Sequence, residues 1–587
     1  MAEQNFQVDL QGIIKLLSEN LYSSEDVFVR ELLQNAVDAT NARIELEVDF
    51  QPEVVFSFCE EGDVTYLTVR DNGIGLTKEE IHSFLSVIGS SSKRAEDARA
   101  TFIGQFGIGL LSCFLVTDTI KVNTRSVKED KSYTWVGQND GTYKVTTDRK
   151  SSPRCGTCVT IALKGALRTR YSRRKIEELL GKYAFLLPTP VFIEMDGKKK
   201  KINDTFIPWR QPLSTRDDML EFGRLVFEEE FFDVIPLHGE YIQGYAFVTL
   251  EPVNANAVRR HKIFLKNMYV TEDGSDLIPD WSFFTRCFIN TRDLVPVASR
   301  EGFSKDHKLL KAKKEIEQNI YDYLVQLVTY DVNRLKTITS VHSVGIKMLS
   351  VQNENVYKLF FPFMTFSTNK GMMTGAQLVK ASQQKNVYYV VELDDFQRIA
   401  PLLTDSKNIL INGGYIYDST LIQRVKKINK SIEIPLFEDS SYSKILDSPT
   451  EEIEKAFRRV MDMAEDALTA VRCTVEMKSF MPASLPALYI PNENMEMDED
   501  FGSGLSDYFE GFSFDEVFEE EMEQNKLFLN SNNEIVKNFL DIQNAELAAS
   551  TIRLLYVQAL LTGRYTLSDT DIELMNQSFA DIMNRLR

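Results

Sequence analysis

The stretch that decides the fold is SEDVFVRELLQNAVDATNA, residues 24–42. At about 100° per residue, Phe28, Leu32, Leu33, Ala36, Val37 and Ala39 cover most of one helix's circumference, which predicts a largely buried helix. Its polar residues form two groups. Arg30, Gln34 and Asn41 make one seam, expected to face solvent, while Glu31, Asn35 and Asp38, spaced i, i+4, i+7, make a row flanked by apolar neighbours. A carboxylate is costly to bury unless it is hydrogen-bonded, paired or bound to a cation. From this helix alone the row is either a structural hydrogen-bond network or a site.

Three later segments bear on that choice. Thr65 to Arg70 alternates as a strand does and runs into Asp71-Asn-Gly-Ile-Gly75, where the glycines permit a tight turn and close backbone approach to a ligand. Gly104-Gln105-Phe106-Gly107-Ile108-Gly109 then opens the apolar run LLSCFLV, expected to be a helix whose N-terminus and backbone N–H groups could hold an anion. Gly156-Thr157 begins the strand-like run Cys158 to Leu163.

Glu31 with Asn35, DNGIG, GQFGIG and GT, in that order, resemble the four boxes of the Bergerat-fold ATPases, the superfamily of gyrase, MutL, histidine kinases and heat-shock protein 90. RELLQNAVDA (30–39), DNGIGLT (71–77), IGSSSK (88–93) and IGQFGIGLLSCFLV (103–116) are most similar to the heat-shock protein 90 family in its bacterial, HtpG-like form. The resemblance implies an α+β chain: a Bergerat-type α/β sandwich ATPase domain over 1–210 with a lid at about 78–106, a two-lobed α/β middle domain over 211–450, and a mostly helical dimerisation domain over 451–587. It implies ATP and Mg²⁺ as ligands. Asp71 would accept a hydrogen bond from the adenine amine, with Gly75, Leu76 and Thr157 beside it and Asp38 also at the nucleotide. Asn35 would hold the Mg²⁺. The backbone of Gly104, Gln105, Phe106, Gly107 and Gly109 would wrap the phosphates, and Ser91 and Lys93 would reach them from the lid. Glu31 would orient and deprotonate the attacking water. Arg300, in LVPVASREGFSKD, falls where the family places an arginine that reaches the γ-phosphate from the middle domain; the plainer reading of it is a surface ion pair with Glu301. The lid segment is shorter than is usual in bacterial members, with Gly89-Ser-Ser-Ser-Lys93 where the family has Ala-Lys-Ser-Gly-Thr-Lys, and Ser304 stands where a glutamine is usual.

Composition narrows the function classes. A chain of 587 residues holds about three or four domains. A formal net charge of −19 argues against a non-specific nucleic-acid binder, which needs a large basic surface. No stretch has the length of an apolar membrane span, and MAEQNFQVDL has neither the basic nor the apolar region of a signal peptide, so a cytoplasmic protein is expected. Six cysteines in so long a chain make no disulfide framework. Cys155-Gly-Thr-Cys158 leads into a strand with no partner pair, the five histidines show no ligand spacing, and no structural metal is assigned.

Strands are predicted at Arg43 to Asp49, Val54 to Phe58, Thr65 to Arg70, Thr119 to Thr124, Ser132 to Val136, Thr142 to Thr146 and Cys158 to Leu163, forming a largely antiparallel sheet with helices on one face. Residues 387–435 read as a small α/β lobe, and TEEIEKAFRRVMDMAEDAL opens the last domain. Two apolar-striped helices, Ala548 to Leu561 and Asp569 to Leu586, close the chain; AASTIRLLYVQALLTGRYTLSD resembles the family's dimerisation segment and implies a homodimer through about 548–587. From Asn492 to Glu523 carboxylates alternate with Met and Phe and there is no lysine or arginine. This is either an acidic loop or a pliant apolar surface for unfolded client proteins. The expected function is that of an ATP-dependent chaperone acting on unfolded or partly folded clients; the competing readings are a DNA-acting ATPase of the gyrase or MutL kind and a nucleotide-binding scaffold with little hydrolysis.

Overall fold

The helix predicted from the opening stretch forms over Val27–Ile44 (α1), with Phe28, Val29 and Leu33 fully covered. It belongs to a computed structural model that describes residues 12, 24–85, 109–148, 154–491 and 525–585, apart from 196, 255, 258–259, 385, 405–406, 439–440, 443–445 and 543. The chain divides into two units, Met1–Val332 and Asn333–Arg587.

In the first unit an eight-stranded sheet has the order β5-β4-β3-β6-β2-β1-β7-β8. Its strands are β1 (Val54–Glu61), β2 (Val64–Asp71), β3 (Thr119–Arg125), β4 (Ser132–Gln138), β5 (Tyr143–Thr147), β6 (Gly156–Lys164), β7 (Val191–Met195) and β8 (Lys198–Lys201). All neighbours are antiparallel except β1 and β7. Strand alternation sets which side chains enter the core. Along β2, Thr65, Leu67, Val69 and Asp71 are buried, and along β3 Ile120, Val122 and Thr124 are, so the Asp71 carboxylate and the Thr124 hydroxyl are carried inward where each strand ends.

Two expectations are corrected. No strand forms over 43–49: α1 runs on to Ile44, and Leu46 and Val48 are exposed in the turn that follows, because their alternation meets no neighbouring strand. The LLSCFLV run is a 3₁₀ segment, Gly109–Leu115, in place of the expected α-helix. The short helix α2 (Lys78–Phe84) begins with a Thr77–Glu80 capping box, each side chain bonding the other's backbone N–H.

A second sheet, in the order β12-β11-β13-β10-β9, consists of β9 (Phe231–His238), β10 (Ile242–Thr249), β11 (Lys262–Leu265), β12 (Met268–Thr271) and β13 (Thr285–Thr291). One apolar cluster runs from Phe28 and Leu33 of α1 through Leu186 and Phe222 to Phe247 and Phe288 of this sheet, with Phe185 and Trp209 packed against it. The two sheets of this unit are therefore joined by core. At about 25 cal/mol per Å² of apolar surface, burial of these aromatic rings is a main stabilising term at the junction.

In the second unit a four-stranded sheet ordered β15-β14-β17-β16 uses Thr365–Thr368, Gly371–Thr374, Val387–Val390 and Ile409–Asn412 as β14 to β17. A three-stranded sheet ordered β18-β20-β19 uses Cys473–Lys478, Ala487–Ile490 and Asn525–Asn530 as β18 to β20. The helix Glu451–Leu468 buries Phe457, Val460, Ala464 and Leu468 in one stripe against this last part. Helix Ala545–Thr562 is almost wholly covered on Ala548, Ile552, Leu555, Tyr556 and Ala559, and Tyr556 donates its hydroxyl to Asp571 Oδ1 at 3.0 Å in the final helix, Asp569–Arg585. That final helix buries Leu574 and Ser578 but leaves Ile572, Phe579 and Met583 exposed. Among the described residues no helix is long and apolar enough to cross a membrane.

Candidate nucleotide site

The pleat of β2 delivers Asp71 to the core side, where it is 8 % exposed. Its Oδ1 accepts from the backbone N–H groups of Gly73 at 2.8 Å and Thr157 at 3.3 Å. Burial pushes its pKa up to about 7, against the lowering effect of those N–H donors. The turn that follows needs glycine at Gly75, whose φ is +67° and where a Cβ would stand 2.0 Å from the Arg125 carbonyl oxygen. Leu76 N–H donates to Thr124 Oγ1 at 2.9 Å. The same hydroxyl lies 3.1 Å from Thr157 Oγ1 and donates to the Gly156 carbonyl at 3.2 Å. Asp71, Leu76 and Thr157, expected together, are thus joined through Thr124, which sequence reasoning missed. The signal was a threonine ending the apolar row Ile120, Val122.

On α1, Glu31 is 2 % exposed and its Oε2 accepts from Arg300 Nη1 at 2.6 Å across 269 residues of chain. Arg300 also donates to Gln34 Oε1. Arg300 is not at the surface, as the plainer reading had it: the loop carrying it folds against α1 and its pairing with Glu31 is buried. That loop is closed by Val297 N–H to the Gly302 carbonyl at 3.1 Å and Ser304 N–H to the Val295 carbonyl at 2.8 Å. Arg300 sits in it with φ +57°, a left-handed conformation that costs a non-glycine residue about 1 kcal/mol or more and persists only where the surroundings impose it.

The seam expected to face solvent is corrected at two of its three positions: Arg30 and Gln34 are buried, because the loop from the second sheet covers them. Arg30 donates from Nη2 to the Ser299 carbonyl at 2.7 Å and from Nη1 to the Arg300 carbonyl at 3.3 Å, and its Nε lies 3.5 Å from Glu31 Oε1. A polar seam read as solvated was a docking face. Gly109 comes so close that a Cβ there would stand 2.3 Å from Glu31 Oε2. Beside it Cys113 is fully buried, its thiol pKa pushed up by burial and further by the Glu31 charge.

Glu31 and Asn35 lie one turn apart on α1. The row Glu31, Asn35 and Asp38, read as turned inward, is corrected at Asn35, which is exposed, whereas Asp38 is fully covered and near enough to Lys266 for its charge to favour the protonated amine there. The expectations at Ser91, Lys93, Gly104, Gln105, Phe106 and Gly107, and those for 492–523, lie outside the described residues. A nucleotide fits what is described. Asp71 offers a buried acceptor at one end, while at the other Glu31 Oε1 and Gln34 Nε2 are buried without a hydrogen bond and Gly109 keeps the approach to Glu31 clear of a side chain.

A buried aspartate ending one strand, glycine turns and a carboxylate on the first long helix define an ATP-binding domain of the kind that histidine kinases and gyrase share. Consistent with this, residues 22–152 match the family described as histidine kinase-, DNA gyrase B-, and HSP90-like ATPase. Over almost its whole length the chain is similar to the chaperone protein HtpG of Wolinella succinogenes, 24 % identical over 620 residues that cover 97 % of each chain. HtpG of Helicobacter pylori is 24 % identical over 627 residues, again 97 % of each, and that of a Sulfurovum species is 25 % identical over 518 residues, 80 % of this chain and 83 % of the relative. These likenesses, one over the ATPase domain and the others over most of the chain, support an ATP-dependent chaperone of the heat-shock protein 90 type, similar to bacterial HtpG.

Proposed function

We propose that this chain binds ATP with Mg²⁺ and hydrolyses it slowly to ADP and phosphate, using the cycle to open and close a homodimeric clamp on unfolded or partly folded client proteins. The observation that carries this reading is the 2.6 Å contact between Glu31 and Arg300, two groups from opposite ends of the first unit meeting beside the Gly109 backbone.

Asp71 accepts the adenine amine, which selects adenine over guanine because guanine offers a carbonyl at that position. Gly75, Leu76 and Thr157 line this end. Asn35 would hold a Mg²⁺, which would supply positive charge against the phosphates. Glu31 orients the attacking water and takes its proton as oxygen bonds to the γ-phosphorus and ADP leaves. While Arg300 pairs with Glu31, its guanidinium occupies a carboxylate oxygen that would receive the water's proton. Turnover therefore requires the guanidinium to pass from Glu31 to phosphate, where it stabilises transition-state charge. A rearrangement of this kind makes conformational change, not chemistry, the slow step.

The division into 1–210, 211–450 and 451–587 gives the clamp its parts. Ile572, Phe579 and Met583, at i, i+7 and i+11 on the final helix, form an exposed apolar stripe suited to a second copy of the same helix. ATP turnover of the full chain, compared with a chain truncated after residue 525, tests site and dimer together. A several-fold fall per chain supports the clamp; identical rates would mean an independent ATPase module.

A further inference from the structure

A cavity of about 760 Å³ lies between Val37 and Asn41 of α1 and strand ends of the second sheet. Its volume falls in the range of about 300–1,000 Å³ typical of small-molecule sites. In a chain of net charge −19, its lining is cationic: Arg210, Lys266 and Arg292 against Asp293. Trp209 supplies a flat apolar wall, its ring backed by Tyr245 at 5.4 Å and Phe288 at 5.5 Å between centroids.

The tip that presents Lys266 is built at a cost. β11 and β12 are joined by two residues, Lys266 and Asn267, with φ of +48° and +67°. A two-residue turn with both φ positive favours Asn-Gly, and lysine in its first place is strained. The tip is nevertheless held firmly. Lys266 N–H donates to the Thr291 carbonyl at 2.8 Å, Asn267 N–H donates to Asn290 Oδ1 at 2.9 Å, and Arg210 Nη2 reaches Asn267 Oδ1 at 3.3 Å. Arg292 is oriented by Gln243 Oε1 at 3.1 Å. Burial lowers the Lys266 amine below its usual pKa, partly opposed by Asp293 and Asp38. An anion in the cavity would favour the charged form.

We propose that this cavity binds a small phosphorylated compound with a flat apolar ring, the phosphate among Arg210, Lys266 and Arg292 and the ring against Trp209. Such an occupant would bridge α1 and the second sheet. The binding proposal does not depend on the nucleotide reading.

Pyridoxal 5′-phosphate tests it directly, having a ring, a phosphate and an aldehyde that condenses with a neutral amine to an imine and water. The full-length chain is treated with it, with and without saturating ATP, the imine is reduced with borohydride, and labelled lysines are mapped by mass spectrometry. Lys266 should be labelled at least about tenfold more readily than the exposed Lys198 to Lys201 run, with or without ATP. Arg292→Gln, at an exposed position, should reduce that labelling about tenfold, and 1-naphthyl phosphate should protect at about tenfold lower concentration than inorganic phosphate. Labelling spread over surface lysines, or abolished at Lys266 by ATP, overturns the proposal. Equal protection by naphthyl phosphate and inorganic phosphate overturns its ring component.

Discussion

The Asp71 end of the site and the Glu31 end are built differently. Around Asp71 the partners come from β2, β3, β6 and the turn after β2, all within one sheet: Asp71 Oδ1 accepts from the Gly73 and Thr157 N–H groups, and the Leu76 N–H donates to the Thr124 hydroxyl beside Thr157. Around Glu31 the principal partner arrives from 269 residues away on a strained loop, and buried polar atoms remain without hydrogen bonds. A pocket that binds can be complete inside one sheet. A pocket that cleaves on command is better left incomplete until a second element docks, because an unsatisfied polar cluster in a low-dielectric setting responds strongly to any new charge.

The sharpest way to break this comparison is Glu31→Ala. Loss of a general base should lower turnover about 10²–10⁴-fold while ATP affinity by calorimetry stays within about threefold; undiminished hydrolysis would remove Glu31 from the base role. Next in size is Asp71→Asn, which replaces the acceptor oxygen proposed for the adenine amine with an amide group and should cost about 100-fold in ATP affinity. Arg300→Lys retains charge but not the planar fork that reaches Glu31 and Gln34 together. About tenfold lower turnover with unchanged ATP affinity is expected, and a loss of affinity instead would place Arg300 in binding.

The smallest predicted effect is on pH. With the Asp71 pKa near 7, acidification from pH 8 to pH 6 should weaken ATP binding by about tenfold, and Asp71→Asn should abolish that dependence. The same group bears on stability with a definite sign. Its folded pKa is raised from 3.8 to about 7, so between those values the folded chain holds the proton more tightly than the unfolded one. Stability from this group is present below pH 4 and is lost as pH rises through 7. Thermal melts of the ligand-free chain should therefore show Asp71→Asn more stable than the parent at pH 8 and nearly equal to it at pH 4.

Much of the arrangement around Asp71 was legible in the sequence. Period-two alternation through Leu67 and Val69 puts Asp71 inside, and the glycine turn after it admits few other conformations. Thr124 was hidden because a lone threonine in a strand is ordinary. The helix was harder. Arg30 and Gln34 have the spacing of a solvated seam, and only a loop supplied by Ser299 and Arg300 makes them interior. The failed strand at 43–49 has a similar origin: alternation marks a face, but a strand also needs a neighbour to bond.

Residue order by itself determined the elements and which side of each is apolar, since these follow from local periodicity and turn chemistry. Only the tertiary structure decided what lies against each polar seam: Arg300 on Glu31, Lys266 near Asp38, and the cavity between Trp209 and the Lys266 turn. The physical reason is that burial of a polar group is a property of its neighbours in space, and those neighbours lie hundreds of residues away along the chain.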